Sequence, residues 1–473
     1  MPISRRDFLK FSSAGLAAVA LGTAGRRLFW GGGEAVAASH LELEIVEALH
    51  EMTDKVQVPV WAFQVGGVPR VPGVILAAVE GDDVEITITN RHSITHGFTI
   101  PGVSGATATI PPGASQTIRF RAPAGGSYLY HDHLNAPVNR VMGLHGAFVS
   151  IPSIPFTPYS GPTSNMTKLF QDLGTTNHFP GNPWDPARSW IWLVNSCDPV
   201  KNIQASASPG ISAAAFISGY IPQYFTINGK SGFFASHDFK HDPGSHGGTA
   251  VTGNVGQPAL VRCLNAGLVW HSMHLHGNHV YVLAETNSAA GAQAIQQNIV
   301  VVDVWTLPPM IGKDVLIPFI KPPDIPQATW TRMLNGVSDE VFPLDFPMHC
   351  HAEPSQTAAG GNYPSGLLTH FMIEGPASPG DAVIQVTKAE LRLKFGKLSL
   401  RGVTSLPAGS VLEVYAGSTV TAQSQAVGTT TVGTGGAWSF NGRALRALAG
   451  RSVSVTAANR ANPQRLDVRP VLR

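Results

Sequence analysis

The chain has 473 residues and a formal net charge of +2, and charged side chains make up only 13% of it. The first 37 residues carry five basic and two acidic side chains, which leaves a net charge of about −1 on the remainder. This balance excludes a basic surface for nucleic acid or anionic membranes. The length predicts two or three domains, and 50 Gly with 36 Pro favour turn-rich β-structure.

The N-terminus has the features of an export signal. Ser4-Arg5-Arg6-Asp7-Phe8-Leu9-Lys10 is a twin-arginine pattern, an apolar run follows over residues 11–25, and Ala35-Val36-Ala37 is a small-x-small cleavage motif. We therefore predict a signal peptide over residues 1–37 and export to the periplasm or the cell exterior. An uncleaved anchor is the alternative, but the run is shorter than the roughly 20 residues of a membrane span. No stable span is predicted elsewhere.

Period-two alternation predicts a first β domain over residues 38–155. The segment from Leu41 to Met52 is compatible with a strand or a short helix. The predicted strands with the clearest pattern are Val84–Asn90, Gln116–Arg121, Ser127–His133 and Leu144–Ser150. Residues 156–185 are rich in Pro, Ser, Thr, Gly and Asn, which indicates a linker.

A second β domain is predicted over residues 186–376. Its strands begin at Trp190–Val194 and continue through Tyr224–Gly229, Ala259–Leu264, His279–Ala284, Ile299–Trp305 and Leu367–Ile373. Two inserts, residues 231–257 and 319–342, are expected to be surface loops. Residues 380–473 contain neither His nor Cys and predict a small immunoglobulin-like β-sandwich, either a spacer or a module that binds a partner or glycan.

Histidines recur two residues apart on predicted strands. His131 and His133, His274 and His276, and His349 and His351 each project from one face of a strand, because successive side chains alternate. Cys350 points to the opposite face from its two neighbours. Thiolate with imidazole suits copper, and imidazole alone suits copper, zinc or iron. The alternative is a buried cysteine between two core histidines.

Three cysteines in an exported protein leave one unpaired. With Cys350 as a metal candidate, Cys197 and Cys263 are free to form a disulfide. Both also lie in or beside apolar strand-like runs, where small buried thiols are common.

These motifs resemble those of two-domain multicopper oxidases, over roughly residues 70–375. The family carries the patterns HxHG, HxH, HxxHxHG and HCHxxxHxxxG(M/L). The corresponding segments here are Ile94-Thr95-His96-Gly97, His131-Asp132-His133, His271 to Gly277, and His349-Cys350-His351 onward.

The resemblance implies two cupredoxin-like sandwiches with up to four coppers per chain. Type 3 copper ligands would be His96, His131, His133, His276, His349 and His351, and His274 would bind type 2 copper. His271 and Cys350 would bind type 1 copper. Electrons would pass from a donor through Cys350 to His349 and His351, and dioxygen would become water.

Two positions depart from the family pattern. Ile94 replaces the second type 2 histidine. His92, on the same strand face, is a substitute candidate, but an exposed histidine in a turn is the favoured interpretation of this residue. Ser355, or Asn362 in the alternative alignment that fits Leu367 to the axial position, replaces the second type 1 histidine. Glu353 and His370 are further candidates for that ligand, although His370 is also predicted to lie on a core strand.

The expected protein is an exported copper oxidase, a homotrimer with copper between subunits, which oxidises phenols, aromatic amines or metal ions. One alternative is a copper-binding protein with little turnover, for storage, tolerance or a surface role. Another is a dinuclear-copper oxidase without type 1 copper. Asp132 between the first-domain histidines argues against a copper nitrite reductase, which resembles this layout but has a thiolate motif in that domain.

Overall fold

The computed structural model describes an all-β molecule. Described residues run from 27 to 471 except for 31–32, 38–39, 153–156, 175, 177, 187, 237–247, 339, 359–360, 362–364, 377–383, 405, 407–408, 417–425, 434–435, 444–447, 449–451, 458–463 and 468–469. Two cupredoxin-like sandwiches are followed by a smaller C-terminal sandwich, as the alternation predicted.

The first sandwich consists of two sheets. Its strands are β1 (Arg27–Trp30), β2 (Gly33–Ala37), β3 (Leu41–Glu51), β4 (Gln57–Val65), β5 (Val68–Arg70), β6 (Ile75–Val79), β7 (Asp83–Asn90), β8 (His96–Thr99), β9 (Thr107–Ile110), β10 (Ser115–Arg121), β11 (Gly126–His131) and β12 (His145–Ile151). Sheet 1 has the order β10-β7-β3-β4-β5, and sheet 2 has the order β1-β2-β6-β12-β11-β8-β9.

The second sandwich also consists of two sheets. Its strands are β13 (Ser189–Cys197), β14 (Tyr224–Ile227), β15 (Val251–Gly253), β16 (Ala259–Asn265), β17 (His271–Leu275), β18 (Val280–Asn287), β19 (Ala292–Val302), β20 (Val304–Leu307), β21 (Ile311–Ile317), β22 (Leu344–Cys350) and β23 (Leu368–Ile373). Sheet 3 has the order β14-β13-β16-β21-β18-β19, and sheet 4 has the order β15-β23-β22-β17-β20.

The C-terminal sandwich packs two four-stranded sheets around its own apolar core. Its strands are β24 (Ile384–Arg392), β25 (Lys397–Thr404), β26 (Val411–Ala416), β27 (Ala426–Thr431), β28 (Ala437–Gly442), β29 (Ser452–Ala457), β30 (Gln464–Asp467) and β31 (Pro470–Val471). The sheet orders are β28-β25-β24-β31 and β27-β26-β29-β30.

Short helices connect the strands. They are α1 (Val138–Val141), α2 (Ser164–Asp172), α3 (Pro199–Ala207), α4 (Ala213–Ile217), α5 (Gly232–Ser236), α6 (Gln327–Leu334) and α7 (Glu353–Gln356), with a 3₁₀ turn at Leu393–Phe395. Among the described residues, no helix combines the length and the apolar character that crossing a membrane requires.

The predictions of unstructured connections were partly wrong. The predicted linker contains α2, in which Met166 and Leu169 are buried three residues apart, and Thr163 caps its N-terminus. The insert at 319–342 contains α6, anchored by buried Trp330 and Met333. Sparse apolar residues at helical spacing therefore outweigh polar composition in both segments.

The segment that begins at Leu41, which the sequence made compatible with a strand or a short helix, is strand β3. Strand β2 contains the predicted cleavage motif and pairs in parallel with β6. Cys197 and Cys263 are buried free thiols in different apolar clusters, so the structure does not contain the disulfide considered above.

The four sheets of the two large sandwiches stack as layers in the order 1-2-3-4. Trp61 and Ile86 of sheet 1 pack on Phe98 and Tyr130 of sheet 2. On the other face of sheet 2, Leu129, Ala147 and Val149 pack on Ile191, Leu193 and Leu264 of sheet 3. Sheet 3 in turn packs on the inner face of sheet 4 through Trp192, Val261, Met273 and Phe371. One face of sheet 4 is therefore left on the outside of the stack.

A buried polar network joins the two sandwiches where sheets 2 and 3 meet. Asp314 accepts hydrogen bonds from Arg262 at 2.8 Å, Ser127 at 2.8 Å and Tyr159 at 2.7 Å. Both charged side chains are almost completely buried. Removing either partner of such a buried ion pair strongly destabilises the protein, because the other charge then remains buried and unpaired.

We expect Asp314→Ala to destabilise the protein by about 3–5 kcal/mol, because it leaves the buried Arg262 charge without its carboxylate partner. The measurement is the shift of the urea unfolding midpoint. Lys168→Ala, which removes an exposed i,i+4 pair with Asp172, is the control and should change stability by less than about 1 kcal/mol. Equal shifts for the two variants would show that the network does not hold the sandwiches together.

The pH dependence of stability should include a contribution from His145, which is buried between sheets 2 and 3. Its Nδ1 donates to the Arg140 carbonyl at 2.7 Å, and burial lowers its pKa to about 4. The unfolded chain takes up this proton near pH 6.5 while the folded chain does not, so stability falls as pH drops from about 7 to 4, by up to about 3 kcal/mol.

The check is the unfolding free energy of metal-free protein across this pH range for wild type and His145→Gln. The stability difference between them should narrow or reverse in favour of the variant at low pH. His279→Gln, at an exposed position, is the control. A difference that is constant with pH would refute the assignment.

Candidate metal centre

Strands β17 and β22 lie side by side in sheet 4 and sort their residues onto two faces. The register pairs Met273 with Cys350 and His274 with His349, and paired residues share a face. Buried and partly exposed residues alternate along both strands. The histidines therefore project to the outer face of sheet 4, and Cys350 projects into the core, as the strand alternation predicts.

Four imidazoles converge on the outer face: His274, His276, His349 and His351. Ring centroids lie 4.5–5.4 Å apart in the contacting pairs. One nitrogen from each of His274, His276 and His349 falls within 4.8 Å of the others. Nε2 of His276 and Nε2 of His349 are 3.2 Å apart. Two nitrogens each about 2.0 Å from one ion at a tetrahedral angle would lie about 3.3 Å apart, so this spacing fits a shared metal.

The surroundings keep these imidazoles ready to bind a metal. His274 Nδ1 lies 3.1 Å from the carbonyl oxygen of Asp303, which leaves Nε2 available. Burial, reinforced by neighbouring imidazoles, lowers the pKa of His276 and of His349. Lower pKa values favour the neutral form at neutral pH, which is the form that ligates.

On the inner face, Cys350 and His271 form a fully buried pair. His271 Nδ1 lies 3.3 Å from the Cys350 sulfur, and burial lowers the pKa of His271 to about 4. Burial raises the pKa of the Cys350 thiol, although hydrogen bonds from the backbone of Ala352 and Ser272 and from the Ser355 hydroxyl oppose this. This face lies in the apolar core with Met273 and Met348.

The positions considered for a second imidazole beside Cys350 do not supply one. Ser355 is buried beside the thiol, and its hydroxyl accepts a hydrogen bond from the backbone of Leu367 at 2.8 Å. Glu353 is exposed on α7. His370 pairs with Asp345 at 2.9 Å. Asn362 lies outside the described residues. Leu367 is buried and its carbonyl accepts from the Cys350 backbone, which places it next to the thiol.

The two sandwiches repeat one local structure. Asn90 donates to the carbonyls of Ile94 and Ile110, and Asn265 donates in the same way to those of Val269 and Leu307. A histidine follows each asparagine after six residues, His96 and His271. His131 pairs with Thr99 just as His349 pairs with His274. By this correspondence His96 matches His271, and Asp132 matches Cys350.

The repeat corrects the sequence-based grouping of His96 with His131 and His133. His96 lies on the core face of sheet 2, where its ring contacts Trp61, while His131 lies on the opposite face. Thr99 and Pro101 occupy the positions that correspond to His274 and His276. The sequence signal was a strand that ends in Asn, followed by His six residues later, and it occurs in both domains.

A chain of polar groups runs from buried Asp132 through His96 and His92 to the exposed Glu47. The Nδ1 of His96 lies 2.7 Å from Asp132, and its Nε2 lies 2.7 Å from Nδ1 of His92. His92 Nε2 in turn lies 3.0 Å from a carboxylate oxygen of Glu47. His92 is therefore buried beside His96, and the favoured prediction of an exposed turn histidine was wrong. Ile94 contributes only its backbone carbonyl to the asparagine described above. Sequence reasoning missed Glu47.

His131 and His133 retain nitrogens that are free to ligate. His131 Nδ1 donates to the Asp132 carbonyl at 2.9 Å, and its buried Nε2 has no hydrogen-bond partner among the described residues. The buried Nδ1 of His133 also lacks one. His133 packs directly over Gly97, where a Cβ would approach its ring to 2.7 Å.

The two sets of histidines lie on different layers. His131 belongs to sheet 2, while the four-imidazole cluster lies on the outer face of sheet 4, beyond sheet 3. Every group that shifts the pKa of His276 or His349 belongs to the second sandwich. The histidines at 237, 241 and 246 lie outside the described residues.

Two family models match parts of the chain. A family model described as multicopper oxidase matches residues 48–152, and a model for the twin-arginine translocation signal matches residues 2–22. Export by the twin-arginine route, predicted from Arg5 and Arg6, is confirmed.

Two curated relatives match short parts of the chain. Multicopper oxidase MmcO of Mycobacterium tuberculosis is 31% identical over 90 residues, which are 17% of this chain and 17% of that protein. A copper-containing nitrite reductase of Neisseria meningitidis serogroup A is 33% identical over 98 residues, 19% of this chain and 24% of that protein. The chain thus matches less than a quarter of either relative.

A solved structure shares the fold over a longer stretch. The blue copper oxidase of Nitrosomonas europaea superposes with a TM-score of 0.50 at 18% identity, covering 70% of this chain and 85% of that one. The chain shares the cupredoxin-like fold of that blue copper oxidase, and its residues 48–152 match the multicopper oxidase family model.

Proposed function

We propose that the protein is an exported copper-dependent oxidoreductase that oxidises a phenolic, aromatic amine or metal-ion donor and reduces dioxygen to water. The observation that carries this proposal is the four-imidazole cluster on sheet 4, with two Nε2 atoms 3.2 Å apart. Imidazole clusters suit copper, and the family match names copper as the metal.

The residues that would hold copper are His274, His276, His349 and His351, with His131 and His133 as partners from a first sandwich. Bound copper supplies one-electron redox chemistry at this position. The protein keeps His274 oriented through the Asp303 carbonyl and His131 through the Asp132 carbonyl, so their other nitrogens remain directed to the site.

The layer order supports a site shared between copies of the chain. The four-imidazole cluster occupies the free outer face of sheet 4, and His276 and His351 are exposed. His131 and His133 of the same chain lie on the far side of sheet 3. A cyclic homotrimer, in which the first sandwich of one copy meets sheet 4 of the next, brings six imidazoles together.

A second candidate is a copper-binding protein with little turnover. The incomplete surroundings of Cys350 favour it, because a thiolate with one imidazole does not reproduce a blue copper site. Copper content alone does not separate the two candidates. Oxygen consumption does.

We expect copper-loaded protein to consume oxygen with a phenolic donor. His276→Ala and His349→Ala should each weaken copper binding by at least about tenfold and abolish uptake. Metal analysis and an oxygen electrode are the measurements. His279→Ala removes an exposed histidine three residues from His276 and should bind copper like wild type. No oxygen uptake at full copper occupancy would leave the low-turnover candidate.

Sites shared between copies predict complementation. We expect His131→Ala/His133→Ala and His276→Ala/His349→Ala proteins each to be inactive alone. Mixed at equal amounts and reassembled, they should recover about a quarter of the wild-type sites, because one contact in four joins two intact faces. Sedimentation analysis measures the mass of the assembly, which should be three times that of one chain. No recovery in mixed trimers would place each site within one chain.

A further inference from the structure

We propose that Cys350 holds no copper and that electrons from the donor enter directly at the four-imidazole cluster. This inference rests on the proposed oxidase function and specifies its site of electron entry. It follows from three features: the contacts of Cys350, the pair that corresponds to it in the first sandwich, and the exposure of the cluster.

The contacts of Cys350 are those of a hydrogen-bonded thiol. Its sulfur lies 3.3 Å from His271 Nδ1 and 3.3 Å from the backbone nitrogen of Ala352, and the Ser355 hydroxyl also bonds to it. A blue copper site uses two imidazoles with the thiolate in a trigonal arrangement. In one alignment the second imidazole position holds Ser355, whose hydroxyl is bonded to the backbone of Leu367. In the other alignment it holds Asn362, which is not an imidazole either.

The corresponding pair in the first sandwich is closed in the same way. His96 Nδ1 lies 2.7 Å from Asp132, and the Asp132 carboxylate also accepts from the backbone of Gly97 and Leu134 and from the Asn139 amide. Four donors saturate this carboxylate. Among the residues that the structure describes, neither core position therefore offers the open coordination that a relay copper needs.

In a single chain the four-imidazole cluster lies on the accessible face of sheet 4, where the proposed trimer adds histidines of the next copy. His276 and His351 are exposed in the single chain, whereas Cys350 is completely buried on the other face of the same strand. Catechol, a member of the phenolic donor class proposed above, serves as the test donor. Two catechols lose four electrons and four protons to become two quinones, and one dioxygen takes up these electrons and protons to form two waters.

The test compares Cys350→Ser with Cys263→Ser, which removes another buried thiol from the same apolar cluster. Each protein is loaded with copper(II). Copper per chain, the visible spectrum and oxygen uptake with catechol are then measured. We expect wild type to bind two coppers per chain without intense blue absorption. Cys350→Ser should match Cys263→Ser in copper content and, within about twofold, in rate.

An intense blue band that Cys350→Ser lacks, or the loss of one copper in that variant alone, would overturn the inference while leaving the oxidase function standing. If no form consumes oxygen, the oxidase function fails. Copper count and spectrum would then still decide whether Cys350 binds metal, so the two failures are distinguishable.

Discussion

The alternation of side chains along β22 is the constraint on which the rest of the site depends. His349 and His351 reach the outside of the stack only because Cys350 points inward, and no rotation of the strand could move one without the other. The partner strand β17 obeys the same rule, with His271 inside and His274 outside. One sheet thus carries two chemically separate environments a few bonds apart: a partly exposed imidazole cluster on its outer face and a buried thiol on its inner face.

The two environments differ in how much protein each needs to be complete. The inner pair is fully enclosed by the core of its own sandwich, so its chemistry depends on its immediate neighbours, above all Ser355. The outer cluster lies on a surface, and in the trimer proposed above a neighbouring copy completes it. A single substitution can therefore disable the inner site, while the proposed outer site also depends on assembly.

Much of this could be predicted from the sequence, because period-two alternation and the i,i+2 histidines are local signals. They gave the β class, the sandwich strands and the four residues of the outer cluster. His96 was misplaced because a motif match does not reveal strand register. Only the pairing of His131 with Thr99 shows which face His96 occupies. Helices α2 and α6 were missed because their few apolar anchors are set in polar sequence, and their stability comes from tertiary packing.

The same turn, held by an asparagine side chain, precedes His96 and His271 in the two large sandwiches. The turn is the same although the residues around it differ: a carboxylate in one half, a thiol in the other, and histidines at 274 and 276 where the first half has Thr and Pro. The backbone frame of the site is therefore separable from its ligands, and each half offers a frame into which coordinating residues can be introduced or from which they can be removed.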